Sequence, residues 1–142
     1  MANLSRAAQE LLASAAVATV ATINSDGSVH LSLAWVGIED SEIVFATLPD
    51  QRKLRNLRRD PRIALTVHSE RINEWGLQEY AVFEGVARIT EGGAAEMLQH
   101  LARTYLGPEV VFPGMPNPPP GYITHVKVDR VRGIGSWMGD DS

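Results

Sequence analysis

Apolar residues recur along this chain with two spacings, one helical and one alternating. Leu4, Ala7, Ala8, Leu11 and Leu12 share a helical face, which predicts a short amphipathic helix over residues 4–14 with its cap at Asn3 or Ser5. A nearly continuous apolar run follows over 16–23, carrying Val17, Val20 and Ile23, and predicts a strand. It closes on Asn24-Ser25-Asp26-Gly27, whose Asp-Gly supplies the positive-φ residues of a hairpin turn. The return segment alternates, with Val29, Leu31, Leu33 and Trp35 on one face and Ser28, His30, Ser32 and Ala34 on the other. That is the pattern of a half-buried strand, and it places Trp35 in the core.

Ile43, Val44 and Phe45 predict a third, buried strand over 42–47. Pro49-Asp50 ends it and caps a short basic helix over 51–59, which turns Leu54 and Leu57 inward and stops before Pro61 because the residue preceding proline disfavours helix. Ile63, Leu65 and Val67 give a fourth strand, and residues 80–89 a fifth in which Gly85 marks a bulge. Thr90 is the expected cap of a second amphipathic helix, on which Ala94, Met97, Leu98, Leu101 and Tyr105 recur. Residues 106–121 hold six of the eight prolines and read as an irregular loop, followed by an alternating strand over 122–131 and a last short strand over 133–137. Hairpin-linked strands with few helices between them predict a mainly β protein. The expected architecture is a small barrel of six or seven mostly antiparallel strands with two or three helices, one domain over 1–142. No internal repeat, heptad, G-x-G-x-x-G, P-loop or G-x-S-x-G motif is present.

Composition narrows the function. The net charge of −4 argues against a protein that coats nucleic acid or binds membranes through a polybasic surface, so any anion site must be local. Cysteine is absent, which removes disulfides, thiolate nucleophiles and Cys-ligated metals. His30, His68, His100 and His125 are scattered without a metal-ligand spacing, so no metal is expected. The apolar stretch 11–23 is interrupted by Ser14, Thr19 and Thr22 and is too short for a membrane span. With no targeting signal, a cytoplasmic chain is expected. Lys53 and Lys127 are the only lysines among 13 basic residues, an arginine bias that suggests a GC-rich genome.

The chemistry concentrates between Thr47 and Arg62. There a strand hands over to a helix N-terminus, where free N–H groups and the helix dipole favour an anion, and Arg52 and Lys53 fall in the first turn. Such a junction can cradle a phosphate. Alternatively, Arg52, Arg55 and Arg59 form a solvated stripe offsetting Asp50, Asp60 and Glu70. A nucleic-acid surface is disfavoured, because three Phe and three Tyr offer little stacking area.

Three segments, taken in order, carry a resemblance. Thr22-Ile23-Asn24-Ser25-Asp26-Gly27, Lys53-Leu54-Arg55-Asn56-Leu57-Arg58-Arg59-Asp60-Pro61-Arg62 and Glu84-Gly85-Val86-Ala87-Arg88-Ile89 resemble the split β-barrel flavin-binding proteins of the pyridoxamine-phosphate-oxidase-like superfamily. The likeness covers most of the chain. Within that superfamily the chain looks like flavin/deazaflavin oxidoreductase branch B, reductases that use the reduced form of the deazaflavin coenzyme F420.

The resemblance implies a homodimer with each cofactor ring in a groove between two barrels and its phosphate at the start of the basic helix. Lys53 matches the phosphate-contacting lysine, Ala46 and Thr47 the strand end before it, and Gln51 and Arg52 the turn between. Relatives often carry an arginine two residues before the lysine, where this chain has Gln51. His30, Ser32 and Leu33 match second-strand positions beneath the ring or its ribityl chain, and Trp75, in the polar connection 70–79, suits an interface or the cofactor's edge. Each has a plainer alternative. Ser32 and His30 suit the wet face of an edge strand, Thr47 is a β-former, Arg55 and Asn56 suit tying the helix to the barrel, and Trp137 suits packing as well as an interface.

The implied activity is hydride transfer from C5 of reduced F420 to an activated double bond or another conjugated small molecule, the proton coming from His30, Tyr80 or solvent. An FMN-dependent oxidoreductase of the same fold fits the motif as well, although the chain is short for a pyridoxamine phosphate oxidase and lacks that enzyme's C-terminal substrate motif. So does a non-catalytic binder of deazaflavin or of a tetrapyrrole. The loop 108–120, with Phe112 and Met115, suits a lid over the acceptor or a passive surface loop.

Overall fold

The computed structural model describes residues 3–137. Helix α1 (Arg6–Leu12) is followed by strands β1 (Ala18–Ile23), β2 (Val29–Ala34), β3 (Gly37–Glu39) and β4 (Glu42–Thr47). Helix α2 (Arg52–Arg59), strands β5 (Arg62–Ile72) and β6 (Gln78–Glu91), helix α3 (Ala94–Tyr105) and strand β7 (Tyr122–Ile134) complete the described chain. The strands form one antiparallel sheet in the order β2-β1-β5-β6-β7-β4-β3. This is the mainly β, antiparallel arrangement of seven strands and three helices that the patterning predicts, in the fold that the resemblance implies. Its two edges, β2 and β3, are neighbours in sequence, joined through Trp35 and Val36.

The core collects alternate residues of the strands, among them Val20, Ile43, Phe45, Leu65, Val67, Phe83 and Val126. Burying each such side chain contributes roughly 1.5–3 kcal/mol. Leu12 of α1 and Leu57 of α2 pack onto the same cluster. Ser5 caps α1 by accepting from the Ala8 N–H, and its hydroxyl donates to the Trp137 carbonyl at 2.8 Å, tying the two ends of the described chain together. Trp137 is buried in the core, so packing is its role here.

The expected bulge falls at Gly85. Glu84 pairs with Arg130 and Gly85 with Val128, which leaves Asp129 as an extra residue on β7. A Cβ on Gly85 would lie 2.1 Å from the Lys127 carbonyl oxygen, so the close approach of the two strands there requires glycine.

Several expectations are corrected. Val29, Leu31 and Leu33 point away from the core and are each more than 60% exposed, because the register sets Ala34, Ser32 and His30 beside the buried Ala18, Val20 and Thr22 of β1 and so gives them the inward face. Trp35 lies past the end of β2, where alternation no longer holds, and stacks on Tyr105 of α3 instead of joining the core. The hairpin at Asp26-Gly27 has one positive-φ residue, Gly27, because the Asp26 carboxylate folds back to accept from the Ser28 N–H and hydroxyl. Asp50 does not cap α2. Gln51 does, without a side-chain bond, while the Asp50 carboxylate pairs with Arg58 at 2.9 Å. Thr90 sits inside β6 with its hydroxyl 3.0 Å from His125 Nε2, and Gly93, at φ +79°, begins α3. The last short strand is not separate, since β7 runs on through Ile134, and β3 is an additional strand too short to show a period.

Candidate functional site

Strand β4 ends at Thr47, and Leu48, Pro49 and Asp50 carry the chain into α2. Because the Gln51 side chain caps nothing, the first-turn N–H groups of α2 keep their affinity for an anion. The helix is fastened by its far end. The Asn56 Nδ2 donates to Thr22 Oγ1 at 3.1 Å and to Asn24 Oδ1 at 3.0 Å, and Arg59 donates to the Ile23 carbonyl. Arg55 donates to the Asp50 carbonyl, Arg58 pairs with Asp50 and lies over the Tyr122 ring, and Arg62 takes the Asp60 carboxylate. The basic helix is therefore not a uniform solvated stripe, since Arg55, Arg58 and Arg59 are engaged in holding it.

Lys53 differs from these cations. It is buried, and its ammonium lies 5.2 Å from the centroid of the Phe45 ring. Among the described residues no carboxylate comes within ion-pair distance of it. Burial pushes its pKa down. A cation over an aromatic face recovers only about 0.5–2 kcal/mol, so the site holds a positive charge that the protein itself leaves largely uncompensated.

That charge opens onto a cavity of about 610 Å³ between β2, β4 and α2. Ser32 and Leu33 line one wall, and Ala46 and Thr47 the opposite one. Gln51 and Lys53 close the helix end. The Ser32 Oγ and Thr47 Oγ1 atoms are buried without any hydrogen-bond partner in the protein. Unmet buried hydroxyls are costly, and both belong to residues of the cavity wall that Lys53 also lines, a polar set suited to an anionic ligand. A phosphate-bearing planar cofactor fits this arrangement, the charged end meeting Lys53 and the α2 N–H groups and the apolar body meeting Leu33, Ala46 and Trp35.

Six of the nine candidate residues thus meet at one cavity. The other three do not line it. His30 lies on β2 two residues nearer the hairpin than Ser32, and Arg52 is exposed near Asp26, whose carboxyl pKa it helps, behind the Ser28 hydrogen bonds, to lower. Trp75 is 77% exposed at the tip of the β5–β6 hairpin, in a turn that the Asn73 side chain closes. The cavity also takes Trp35 and Leu98 of α3, which the sequence reading did not name as ligand contacts, and Phe112 of the loop 106–121, which it offered as part of a lid over the acceptor or of a passive surface loop. Lys53 is the only ionisable side chain in the lining. Among the described residues no cluster of potential metal ligands occurs, and no helix is long and apolar enough to cross a membrane.

The family model for pyridoxamine 5'-phosphate oxidase matches residues 4–135. The chain belongs to this family. No curated protein matches it. Solved structures similar to this member of the pyridoxamine 5'-phosphate oxidase family include one described as an F420 reductase. That structure is 20% identical with a TM-score of 0.71, over 87% of this chain and 94% of the other. A conserved hypothetical protein from Mycobacterium tuberculosis is 28% identical with a TM-score of 0.71, over 94% and 88%. A heme binding protein from Mycobacterium smegmatis is 22% identical with a TM-score of 0.61, over 89% of this chain and 52% of that one.

Proposed function

We propose that this chain is an oxidoreductase that binds reduced coenzyme F420 and delivers hydride to an activated double bond or another conjugated acceptor. The observation that carries the reading is Lys53, a buried ammonium without a counter-ion at the end of a cavity bounded by the open N-terminus of α2. Lys53, the α2 N–H groups, Thr47 and Ser32 would hold the phosphate and polar tail, and Leu33, Ala46 and Trp35 would exclude water from the ring. When bound, the reduced deazaflavin would supply hydride from its C5. His30 and Tyr80 lie outside the lining, so in this reading solvent supplies the proton. The likeness to the F420 reductase supports the deazaflavin over FMN. A haem-binding role is less well served, because no histidine lines the cavity to act as an axial ligand.

The test is direct. Protein made in a host without F420 is expected to purify colourless, to quench F420 fluorescence on titration, and then to oxidise reduced F420 only when an enone or quinone is added. Yellow protein that retains FMN overturns the choice of cofactor, and binding without turnover across such acceptors overturns the enzyme.

We also propose that the homodimer which the family resemblance implies forms through the outer face of β2. Register places Leu33 beside Thr19, Leu31 beside Ala21 and Val29 beside Ile23, an apolar strip that no helix of this chain covers. Sedimentation at micromolar concentration is expected to give twice the chain mass of 15.5 kDa, and Leu31→Glu to halve it. A wild-type species at the monomer mass rejects the dimer.

A further inference from the structure

Where Trp35 and Phe112 line the cavity, helix α3 organises an aromatic wall. The Tyr105 hydroxyl accepts from the Val36 N–H at 3.0 Å and lies within donating distance of the carbonyls of Ala16, at 3.0 Å, and Val36, at 3.2 Å. Its ring stacks on Trp35 with centroids 5.4 Å apart and planes at 17°. Trp35 in turn meets Phe112 at 5.1 Å, tilted by 57°. Tyr105 and Trp35 are thus fixed by the fold, whereas Phe112 comes from the loop 106–121, which has no strand or helix to hold it.

The Gln99 side chain of α3 supplies what the loop lacks. Its Nε2 donates to the Val110 carbonyl at 2.8 Å, and its Oε1 accepts from the Phe112 N–H at 2.9 Å. A side-chain amide offers a donor and an acceptor at the spacing of a peptide group, so these two bonds replace a strand partner for Val110 and Phe112. Six prolines in the segment cannot donate, so it has fewer backbone N–H groups with which to anchor itself.

We propose that Gln99 is a positioning residue that fixes Phe112 as a wall of the cavity, and that the Trp35–Phe112 corner receives a flat conjugated acceptor. The two tilted rings present a face and an edge, a geometry that another planar ring satisfies and a bulky saturated molecule does not. The acceptor's part as a reactant rests on the proposed hydride transfer, whereas the fixed wall does not.

Gln99→Leu removes both bonds at similar volume, and Gln99→Glu keeps the acceptor for Phe112 while losing the donor to Val110. Hydrogen exchange of residues 108–113 and calorimetric titration of menadione into the cofactor-free protein test the proposal. The Phe112 amide is expected to exchange at least tenfold faster in Gln99→Leu and at an intermediate rate in Gln99→Glu. Menadione should bind at least fivefold more weakly to Gln99→Leu and to Phe112→Ala, and its KM with reduced F420 should rise while kcat and F420 affinity hold. Phe112→Ala alters only the loop, so it keeps the test available should Gln99→Leu fail to fold. Unchanged exchange in Gln99→Leu, unchanged menadione affinity in Phe112→Ala, or no menadione binding by the wild type overturns the proposal. A wild type that binds menadione but not F420 refutes the hydride reading and leaves the aromatic wall standing.

Discussion

Lys53→Met is expected to weaken binding of the phosphate-bearing cofactor by about 1–3 kcal/mol, a roughly five- to 150-fold change, while leaving the fold as stable as before or more so. The two effects have opposite signs for one reason. A buried ammonium without a counter-ion costs desolvation in the free protein, and that cost is offset only when an anion arrives. The pH dependence follows from the lowered pKa. Between that lowered value and the ordinary lysine value of about 10.4, the unfolded chain carries more protons than the native one, so native stability rises with pH. The Lys53 penalty is therefore full below its folded pKa and fades as pH climbs toward the unfolded value. Urea titrations across that window should show the stability gap between wild type and Lys53→Met narrowing. The binding advantage of the wild type should shrink in parallel, because the free protein loses its ammonium first. Equal affinity of the two proteins for F420 at neutral pH removes the phosphate assignment, and a variant destabilised by several kcal/mol makes the lysine structural instead.

A second large effect is expected at Gly121, which precedes β7 at a φ of +62°. A Cβ there would lie 2.5 Å from the Thr47 carbonyl oxygen and 2.5 Å from the Ala94 Cβ. Backbone on one side and the first turn of α3 on the other leave no flexible side chain to yield. Gly121→Ala should cost about 3 kcal/mol and lower Tm by about 10 °C. The displaced element would be the end of β4, so F420 affinity should fall along with stability. A variant with wild-type Tm shows that the Thr47–Gly121 contact relaxes freely. Ligand affinity retained despite a lower Tm separates the strand end from the site.

Much of this arrangement was legible because it rests on local patterns. The continuous apolar run of β4, the alternation along β7, the apolar spacing of α3 and the basic run of α2 each follow from a few adjacent residues, and the bulge at Gly85 announces itself by a glycine inside a strand. The Lys53 end of the cavity was legible for the same reason, since strand, turn and helix N-terminus are continuous in sequence. What escaped depends on contacts between distant segments. Alternation shows that Val29, Leu31 and Leu33 share a face of β2, but the register against β1 decides that the face points outward. Trp35 and Phe112 meet although 77 residues separate them, and no periodicity in a proline-rich loop indicates that its one aromatic ring turns inward. The cap of α2 was misread because Asp50 is a strong capping residue, yet its carboxylate is drawn to Arg58 by a full charge.

Strand β7 links the two halves of the sheet, pairing with β6 on one side and with β4 on the other. Until it is made, β3 and β4 have only each other, and the walls of the cavity have no common frame. On the ribosome, the earlier segments β1, β2, β5 and β6 have partners already synthesised, but β4 gains its second strand partner only once residues 122–126 of β7 are available. Uptake of a ligand there consequently waits on β7, and any truncation that removes β7 should yield a product that exposes β4 to quality control instead of a weaker binder.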